Sequence, residues 1–160
     1  MRSIREIYKI GRGPSSSHTI GPERAAKVFA EKYPDADHFE VRLYHSLCMT
    51  GKGHGTDRVL EKTFSPNPVD VIFCKEAPED VSHPNTMDFL AYSNEKLLGT
   101  MRAMSIGGGD IRIDGIPENP ADEIYPENSF AEVEEFCRFR NMDLAEYVIL
   151  NEGASCMIQI

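Results

Sequence analysis

The chain has 160 residues, 41% of them hydrophobic and 27% charged, which is the composition of a globular protein able to bury a core of its own. Its net charge of −9, with no basic stripe, argues against a duplex nucleic-acid binder. No run approaches the ~20 apolar residues of a membrane span, and the opening MRSIREIYKI lacks the apolar centre of an export signal. The composition therefore predicts a soluble, cytoplasmic protein with no membrane or nucleic-acid partner.

The first half of the chain predicts two helices and two strands. Pro22 suits a first helical turn, and apolar residues at helical spacing extend this helix to about Tyr33. Apolar and polar residues alternate over 39–47, which predicts a strand. A short helix over 58–64 and a second strand over 69–74 follow.

The next part of the chain predicts a β-hairpin. Residues 86–92 and 97–105 are predicted as two strands, with the turn between them at 93–95. The glycine run that follows breaks the second strand, and a further strand resumes over 111–113.

Two helices are predicted at the C-terminal end. Ser129 and Glu132 have the spacing of a capping box before the first, and Asp143 begins the second. Together the elements predict an α/β, or α+β, fold in which a mixed β-sheet is flanked by helices. We expect residues 1–160 to form a single domain whose C-terminal part, about 129–151, is helical.

The cysteines do not have the spacing of a metal site or a cluster site. They stand at Cys48, Cys74, Cys137 and Cys156, with no C-x-x-C pair and no histidine cluster beside them. A disulfide framework is not expected in a cytoplasmic chain. We expect small apolar thiols and no metal site in this chain.

Four short segments combine small hydrogen-bonding side chains with glycine or proline, and each lies at the end of a predicted element, where binding sites are usually assembled. They are SSSHT at 15–19, TGKGHGTD at 50–57, HPNT at 83–86 and SIGGG at 105–109. SSSHT precedes a helix, so its hydroxyls and the backbone N–H groups favour a carboxylate or a phosphate. A plain helix cap is the alternative, although a cap needs one hydroxyl and this run supplies four.

The other three segments also admit structural explanations. Lys52 and His54 flank Gly53 in a glycine-rich stretch that could approach a ligand closely or could be an ordinary solvated turn. Asn85 could donate to a carboxylate, but His-Pro-Asn is also typical of a turn. Ser105 and the glycines after it could face an anion, or the glycines could only break the strand. From the residues alone we predict a polar, glycine-rich pocket for a small anionic ligand.

In their order along the chain, GPSSSHTIGPERAAKVF, MTGKGHGTD, HPNTMDF and SIGGGDIRI resemble the β domain of the bacterial iron–sulfur L-serine dehydratases. The resemblance runs from the first residues to about Asn151, and four motifs in register make it specific. Met49 stands where a leucine is common, and His45 stands where a glycine is usual. The family's β domain is itself similar to the allosteric substrate-binding domain of a phosphoglycerate dehydrogenase, which implies that fold here.

The resemblance implies an elimination that converts L-serine to pyruvate and ammonia. In this family a [4Fe–4S] cluster has one iron without a cysteine ligand, and that iron binds the serine hydroxyl as a Lewis acid. The cluster ligands belong to a catalytic α domain, which we expect to be absent from this chain. The implied partners are therefore L-serine and a catalytic α domain or α subunit, and a homodimer is among the oligomeric states left open.

The resemblance also implies roles for individual residues. Ligands of the substrate carboxylate are implied at Ser15, Ser16, Ser17 and His18. His83 and Asn85 are implied as contacts to the substrate or to the domain interface, and Ser105 as a further ligand. His54 is implied as the acid/base group, with Lys52 as the second candidate. The competing interpretations are a serine-sensing module without catalysis and an unrelated domain that binds another anion, such as phosphate.

Overall fold

The computed structural model describes residues 3–4, 11–117 and 123–153. Contacts between Cα atoms divide the chain into two compact units, one formed by Ile10–Glu118 and the other by Met1–Lys9 together with Asn119–Ile160.

The larger unit contains a five-stranded mixed sheet, which confirms the predicted fold class. Its elements in chain order are a π-helical turn Ser16–Ile20, α1 (Gly21–Lys32), β1 (His38–Leu43), α2 (His45–His54), α3 (Thr56–Phe64), β2 (Val69–Phe73), β3 (Thr86–Ser93), β4 (Lys96–Gly107) and β5 (Asp110–Ile113). The strands lie in the order β2-β1-β3-β4-β5. β1 and β2 are parallel, and the other neighbouring strands are antiparallel.

The core of this unit lies between the sheet and helices α1 and α3. Phe39 on β1 and Phe89 on β3 pack against Phe29 of α1, with ring centroids 6.0 and 5.5 Å from it. Phe64 of α3 stacks on Phe39 at a centroid distance of 4.3 Å. Each buried phenylalanine contributes about 1.5–3 kcal/mol. This aromatic cluster therefore holds α1, and with it the serine run at its start, firmly on the sheet.

Several predicted elements are confirmed. Helix α1 contains Pro22 in its first turn, and α3 and β2 occupy the predicted segments. β3 and β4 form the predicted hairpin, which turns at Asn94 and Glu95 with φ angles of 49° and 63°. Two consecutive residues with positive φ match the right-handed twist of the strands that they join. The glycines at 107–109 also have positive φ and turn the chain into β5.

The segment after β1 differs from the prediction. The strand predicted over 39–47 was too long, because His45, with a φ of 46°, already begins α2. The glycine-rich GKGH was predicted as a loop that opens a helix, but it forms the last turns of α2, which stops at Gly55 with a φ of 76°. Gly51 is buried in this helix. Tertiary packing therefore outweighs the poor helix propensity of glycine here.

The smaller unit contains α4 (Phe130–Arg140) and α5 (Leu144–Glu152), as predicted. Ser129 accepts the Glu132 N–H at the start of α4, and Asp143 forms a reciprocal capping box with Glu146 at the start of α5. Among the described residues of this unit, the buried hydrophobic side chains are Tyr125, Val133 and Tyr147. None of the helices in the described ranges has the length and apolar character needed to cross a bilayer.

Candidate functional site

The serine run forms the first turn of a helix. Residues 16–20 adopt a π-helical turn that continues into α1 without a break, because Ile20 and Gly21 both have helical backbone angles. π-Helical turns are rare and occur often at functional sites. Thr19 is fully buried beneath the turn, and its hydroxyl donates to the Ser15 carbonyl at 2.6 Å. The turn is therefore anchored from below, which leaves its other side chains to face outward or toward neighbouring elements.

The other three polar segments lie around this turn. TGKGHGTD contacts it through Thr56, whose hydroxyl donates to the His18 carbonyl at 2.7 Å. SIGGG packs against Gly21, because a Cβ at Gly21 would lie 2.1 Å from the Ser105 hydroxyl oxygen. HPNT joins SIGGG through Asn85, whose side chain donates to the Ser105 carbonyl at 3.4 Å. The fold thus gathers at the start of α1 the four segments that stand far apart in the sequence.

His18 is the centre of this cluster. Its Nδ1 lies 3.2 Å from the Ser15 hydroxyl oxygen, and its Nε2 lies 2.9 Å from the Thr50 hydroxyl oxygen and 3.3 Å from that of Ser46. Burial lowers the pKa of His18, and the neighbouring His54 ring lowers it further, against an opposing effect of the Ser46 backbone. The imidazole of His18 is therefore neutral near neutral pH.

His54 lies in the last turn of α2, and its ring centroid is 4.6 Å from that of His18. Its Nδ1 is 2.9 Å from the Thr50 carbonyl oxygen. A carbonyl can only accept, so Nδ1 carries a proton, and in the neutral ring Nε2 keeps its lone pair. No hydrogen bond reaches Nε2 from the residues that the structure describes. His54 therefore presents a proton acceptor beside the serine run.

One face of α2 carries two side chains, Ser46 and Thr50, that the sequence analysis did not single out. Ser46, Thr50 and His54 are spaced four residues apart, so they lie one above the other on the helix and face His18. Ser46 and Thr50 do not stand out in a segment assigned to a strand and a loop. The four-residue spacing of two hydroxyls and a histidine is a signal only once the segment is treated as a helix.

HPNT and SIGGG lie next to each other near Gly21, with Thr86 and Ser105 buried. The Asn85 N–H donates to the His83 Nδ1 at 3.2 Å, so that nitrogen is unprotonated. Burial lowers the pKa of His83, and the nearby Arg112 guanidinium lowers it further. Ser105 is fully buried, and neither its hydroxyl nor the Asn85 side-chain oxygen has a hydrogen-bond partner among the described residues. Buried oxygens normally have a hydrogen-bond partner, which a ligand could supply here. Ligand contacts by Ser105 and Asn85 stay predictions.

Ser16, Ser17 and Lys52 have polar groups available to a ligand. The two serines are half-buried in the first helical turn, where their own backbone N–H groups have no carbonyl partner within the helix, while those of His18 and Thr19 donate to the Ser15 carbonyl. Lys52 is exposed on α2. Within the ranges that the structure describes, the hydroxyls of the two serines and the Lys52 ammonium make no hydrogen bond or ion pair. An anion at this turn would therefore meet donors that are still unpaired.

A groove of about 320 Å³ on the open face of the sheet is a less suitable anion site. Arg42, on its wall, pairs with Glu40 at 2.6 Å. Arg102 bonds both carboxylate oxygens of Asp88, at 2.7 and 2.8 Å. Tyr44 also contacts Asp88, and burial together with Asp88 raises the pKa of Tyr44 to about 12. Both guanidinium groups are thus satisfied within the protein, unlike the donors of the serine run.

The described residues do not offer an iron–sulfur site. Among them, no group of three or more histidine, cysteine or carboxylate side chains is placed to hold a metal ion. Cys48, Cys74 and Cys137 are free thiols, and Cys137 belongs to the smaller unit. A [4Fe–4S] cluster needs protein ligands gathered around one centre, which these three cysteines do not provide. Cys156 lies outside the described residues.

Acidification is expected to destabilise the larger unit through His18 and His83. Both pKa values are lowered in the fold, so the unfolded chain binds more protons once the pH falls below the ordinary histidine pKa of about 6.5. This contribution to stability is present above that pH and is lost as the pH falls below it. Urea unfolding of the chain at about pH 7.5 and about pH 5.5 measures the loss.

His83→Asn is expected to reduce this acid sensitivity, because asparagine can still accept the Asn85 N–H but does not titrate. His38→Asn is the matched control, since His38 lies 3.2 Å from a carboxylate oxygen of Asp70 instead of an N–H donor. Equal losses on acidification in the wild type and in His83→Asn would contradict the assignment to His83.

Comparison with known proteins gives consistent results. Residues 3–63 match the family described as serine dehydratase β chain. The chain is 28% identical over 198 residues to L-serine dehydratase 2 of Escherichia coli, covering 96% of this chain and 44% of that relative. It is 33% identical over 118 residues to an L-serine dehydratase of Streptomyces coelicolor, covering 64% of this chain and 26% of that relative.

A third relative shows the same partial coverage. An L-serine dehydratase of Helicobacter pylori is 29% identical over 196 residues, covering 95% of this chain and 43% of that relative. The chain therefore spans less than half the length of these relatives.

Proposed function

We propose that this chain, which is similar to serine dehydratase β chains and to bacterial L-serine dehydratases, is the β chain or β domain of such an enzyme and that the site at the start of α1 binds its L-serine substrate. In this proposal the enzyme eliminates water from L-serine and releases pyruvate and ammonia. This chain supplies part of the substrate site, and a catalytic α domain or subunit completes it. The observation that carries the proposal is the convergence of SSSHT, TGKGHGTD, HPNT and SIGGG on one helical turn.

The substrate carboxylate binds at the first turn. Ser16 and Ser17 offer hydroxyls without a partner in the described residues, and their own backbone N–H groups at the helix start are available to a ligand. The positive end of the helix dipole adds to this attraction. Ser15 and His18 lie beside the carboxylate end of the site, and Ser105 is a further ligand. A carboxylate is thus held by several weak donors, which compensates for the lack of an arginine among them.

His54 removes the α-proton of the substrate. Its free Nε2 lone pair is directed away from the Thr50 carbonyl, which holds the opposite ring nitrogen at 2.9 Å. When Nε2 takes the proton, the same carbonyl stabilises the imidazolium that forms. Loss of the β-hydroxyl then yields an enamine, which tautomerises and hydrolyses to pyruvate and ammonia. Lys52 is the second candidate for the base, and His83 and Asn85 are contacts to the substrate or to the catalytic domain.

The [4Fe–4S] cluster of the complete enzyme belongs, in this proposal, to the catalytic α domain or subunit. The described cysteines of this chain do not form a cluster site. The division of labour that follows is testable: this chain orients the amino acid and accepts its proton, and it has no dehydratase activity alone.

Anaerobic reconstitution tests the proposal. The chain is assayed for pyruvate release from L-serine, first alone and then together with the catalytic α domain or subunit, after treatment with iron and sulfide. Activity only in the combined sample is the expected result. The matched control replaces this chain with a Ser16→Ala, Ser17→Ala double variant, which should raise KM because the carboxylate loses two donors. No activity in a combined sample with an intact cluster would favour the serine-sensing module instead, and titration of the chain with L-serine would then decide whether it binds.

A further inference from the structure

The directions of the hydrogen bonds around His18 follow from the number of protons available. Thr50 has one hydroxyl proton and donates it to the Ser46 carbonyl at 2.8 Å. Toward the His18 Nε2, at 2.9 Å, the Thr50 hydroxyl is therefore an acceptor, and Nε2 carries the proton. The other nitrogen of the neutral ring, Nδ1, is then left with a lone pair.

This lone pair fixes the direction of the Ser15 hydroxyl. The Ser15 oxygen lies 3.2 Å from Nδ1, so its single proton is donated to the ring. Toward a ligand, Ser15 can then only accept a hydrogen bond, and no donor to it lies within the described part of the chain. The hydroxyls of Ser16 and Ser17 have no acceptor among the described residues, so each can donate its proton to a ligand. Three adjacent serines therefore differ in what they can bind.

We infer that Ser15 is a specificity-determining residue that accepts a hydrogen bond from the substrate ammonium group, and that Thr50 is the positioning residue that orients it through His18. This inference rests on the proposed function and refines it, because an ammonium group only donates and a carboxylate only accepts. The carboxylate is then left to Ser16 and Ser17, and the site selects amino acids over carboxylates that lack the amino group. A hydrogen bond from a charged donor gives this selection its strength.

Histidine NMR tests the proton arrangement without reference to activity. In the full chain labelled with ¹⁵N at histidine, the couplings of the ring nitrogens identify which one carries the proton. The expected result is a proton on Nε2 of His18 in the wild type and in Thr50→Ser, and a redistribution between the two nitrogens in Thr50→Val. A proton on Nδ1 of His18 in the wild type would overturn the inference even if the enzyme proved to be a serine dehydratase.

Kinetics of the complete enzyme test the role of Ser15. The probes are L-serine and 3-hydroxypropanoate, which is the same molecule without the ammonium group. Ser15→Ala is expected to raise KM for L-serine about 10-fold or more, with the inhibition constant of 3-hydroxypropanoate nearly unchanged. Ser17→Ala is expected to weaken both, since both carry the carboxylate.

Two outcomes would overturn the inference. Equal losses for both probes in Ser15→Ala would make Ser15 a carboxylate ligand, and no change in either would remove it from the site. Each requires an active enzyme, so it is distinguishable from a failure of the proposed function, in which the wild-type complex itself releases no pyruvate.

Discussion

In the complete enzyme, His54→Ala is expected to lower kcat by about 10²–10⁴-fold, the range typical of a lost general base. The reason is local: His54 Nδ1 is bound to the Thr50 carbonyl at 2.9 Å, and Nε2 is the nitrogen left to accept a proton beside the serine run. KM should change little, because the carboxylate ligands stay in place. Anaerobic pyruvate release measures kcat and KM, and iron and sulfide analysis of the same sample measures cluster content, which should stay at the wild-type level.

The matched controls for this variant are His38→Ala and Lys52→Ala. His38 lies on β1, away from the serine run, and contacts Asp70, so its loss should leave turnover intact. Lys52 is the competing base on the same helix. If Lys52→Ala abolished turnover while His54→Ala kept it within a few-fold, the roles of the two residues would be exchanged.

Gly21→Ala is expected to be among the most destabilising single-methyl additions in this chain. The new Cβ would lie 2.1 Å from the Ser105 Oγ and 2.8 Å from the Ser105 Cβ. Ser105 is fully buried in β4, so its side chain cannot turn into solvent to avoid the clash. Overpacking of this kind typically costs about 1–3 kcal/mol. The free energy of unfolding of the chain, measured with urea, should fall by an amount in the upper part of that range.

Two further variants test whether the clash with Ser105 causes the loss of stability in Gly21→Ala. Gly21→Ala combined with Ser105→Gly removes both clashing atoms, so the double variant should recover most of the stability that the single variant loses. Gly53→Ala is the opposite control, because a Cβ there meets nothing within 4 Å and Gly53 lies in α2 with ordinary backbone angles. Helix propensity should make it more stable by about 0.5–1 kcal/mol. A free energy of unfolding equal to that of the wild type in Gly21→Ala would contradict the prediction, because it would mean that α1 and β4 can move apart without loss of stability.

Local chemistry accounts for the elements that were predicted correctly. Proline at the start of α1, the polar turn between β3 and β4, and the capping box at Asp143 act within a few residues, so the sequence around each is sufficient. Helix α2 was missed because its stability is not local. Glycines at 51 and 53 disfavour a helix in isolation, and only burial of Gly51 against Thr56 and Phe73 makes the absence of a side chain useful.

The residue types of the site are evident from the amino-acid sequence by itself: a run of serines with a histidine, a second histidine among glycines, and two further polar segments. The arrangement of these residues in space is not evident from the sequence, because Ser46 and Thr50 face His18 only once the core has positioned helix α2. Hydrogen-bond direction is likewise a tertiary property. Which nitrogen of His18 carries its proton depends on a carbonyl and a hydroxyl 28 or more positions further along the chain. The sequence therefore determines which side chains the site contains. Their hydrogen-bond partners and orientations are determined by packing between elements that are distant along the chain.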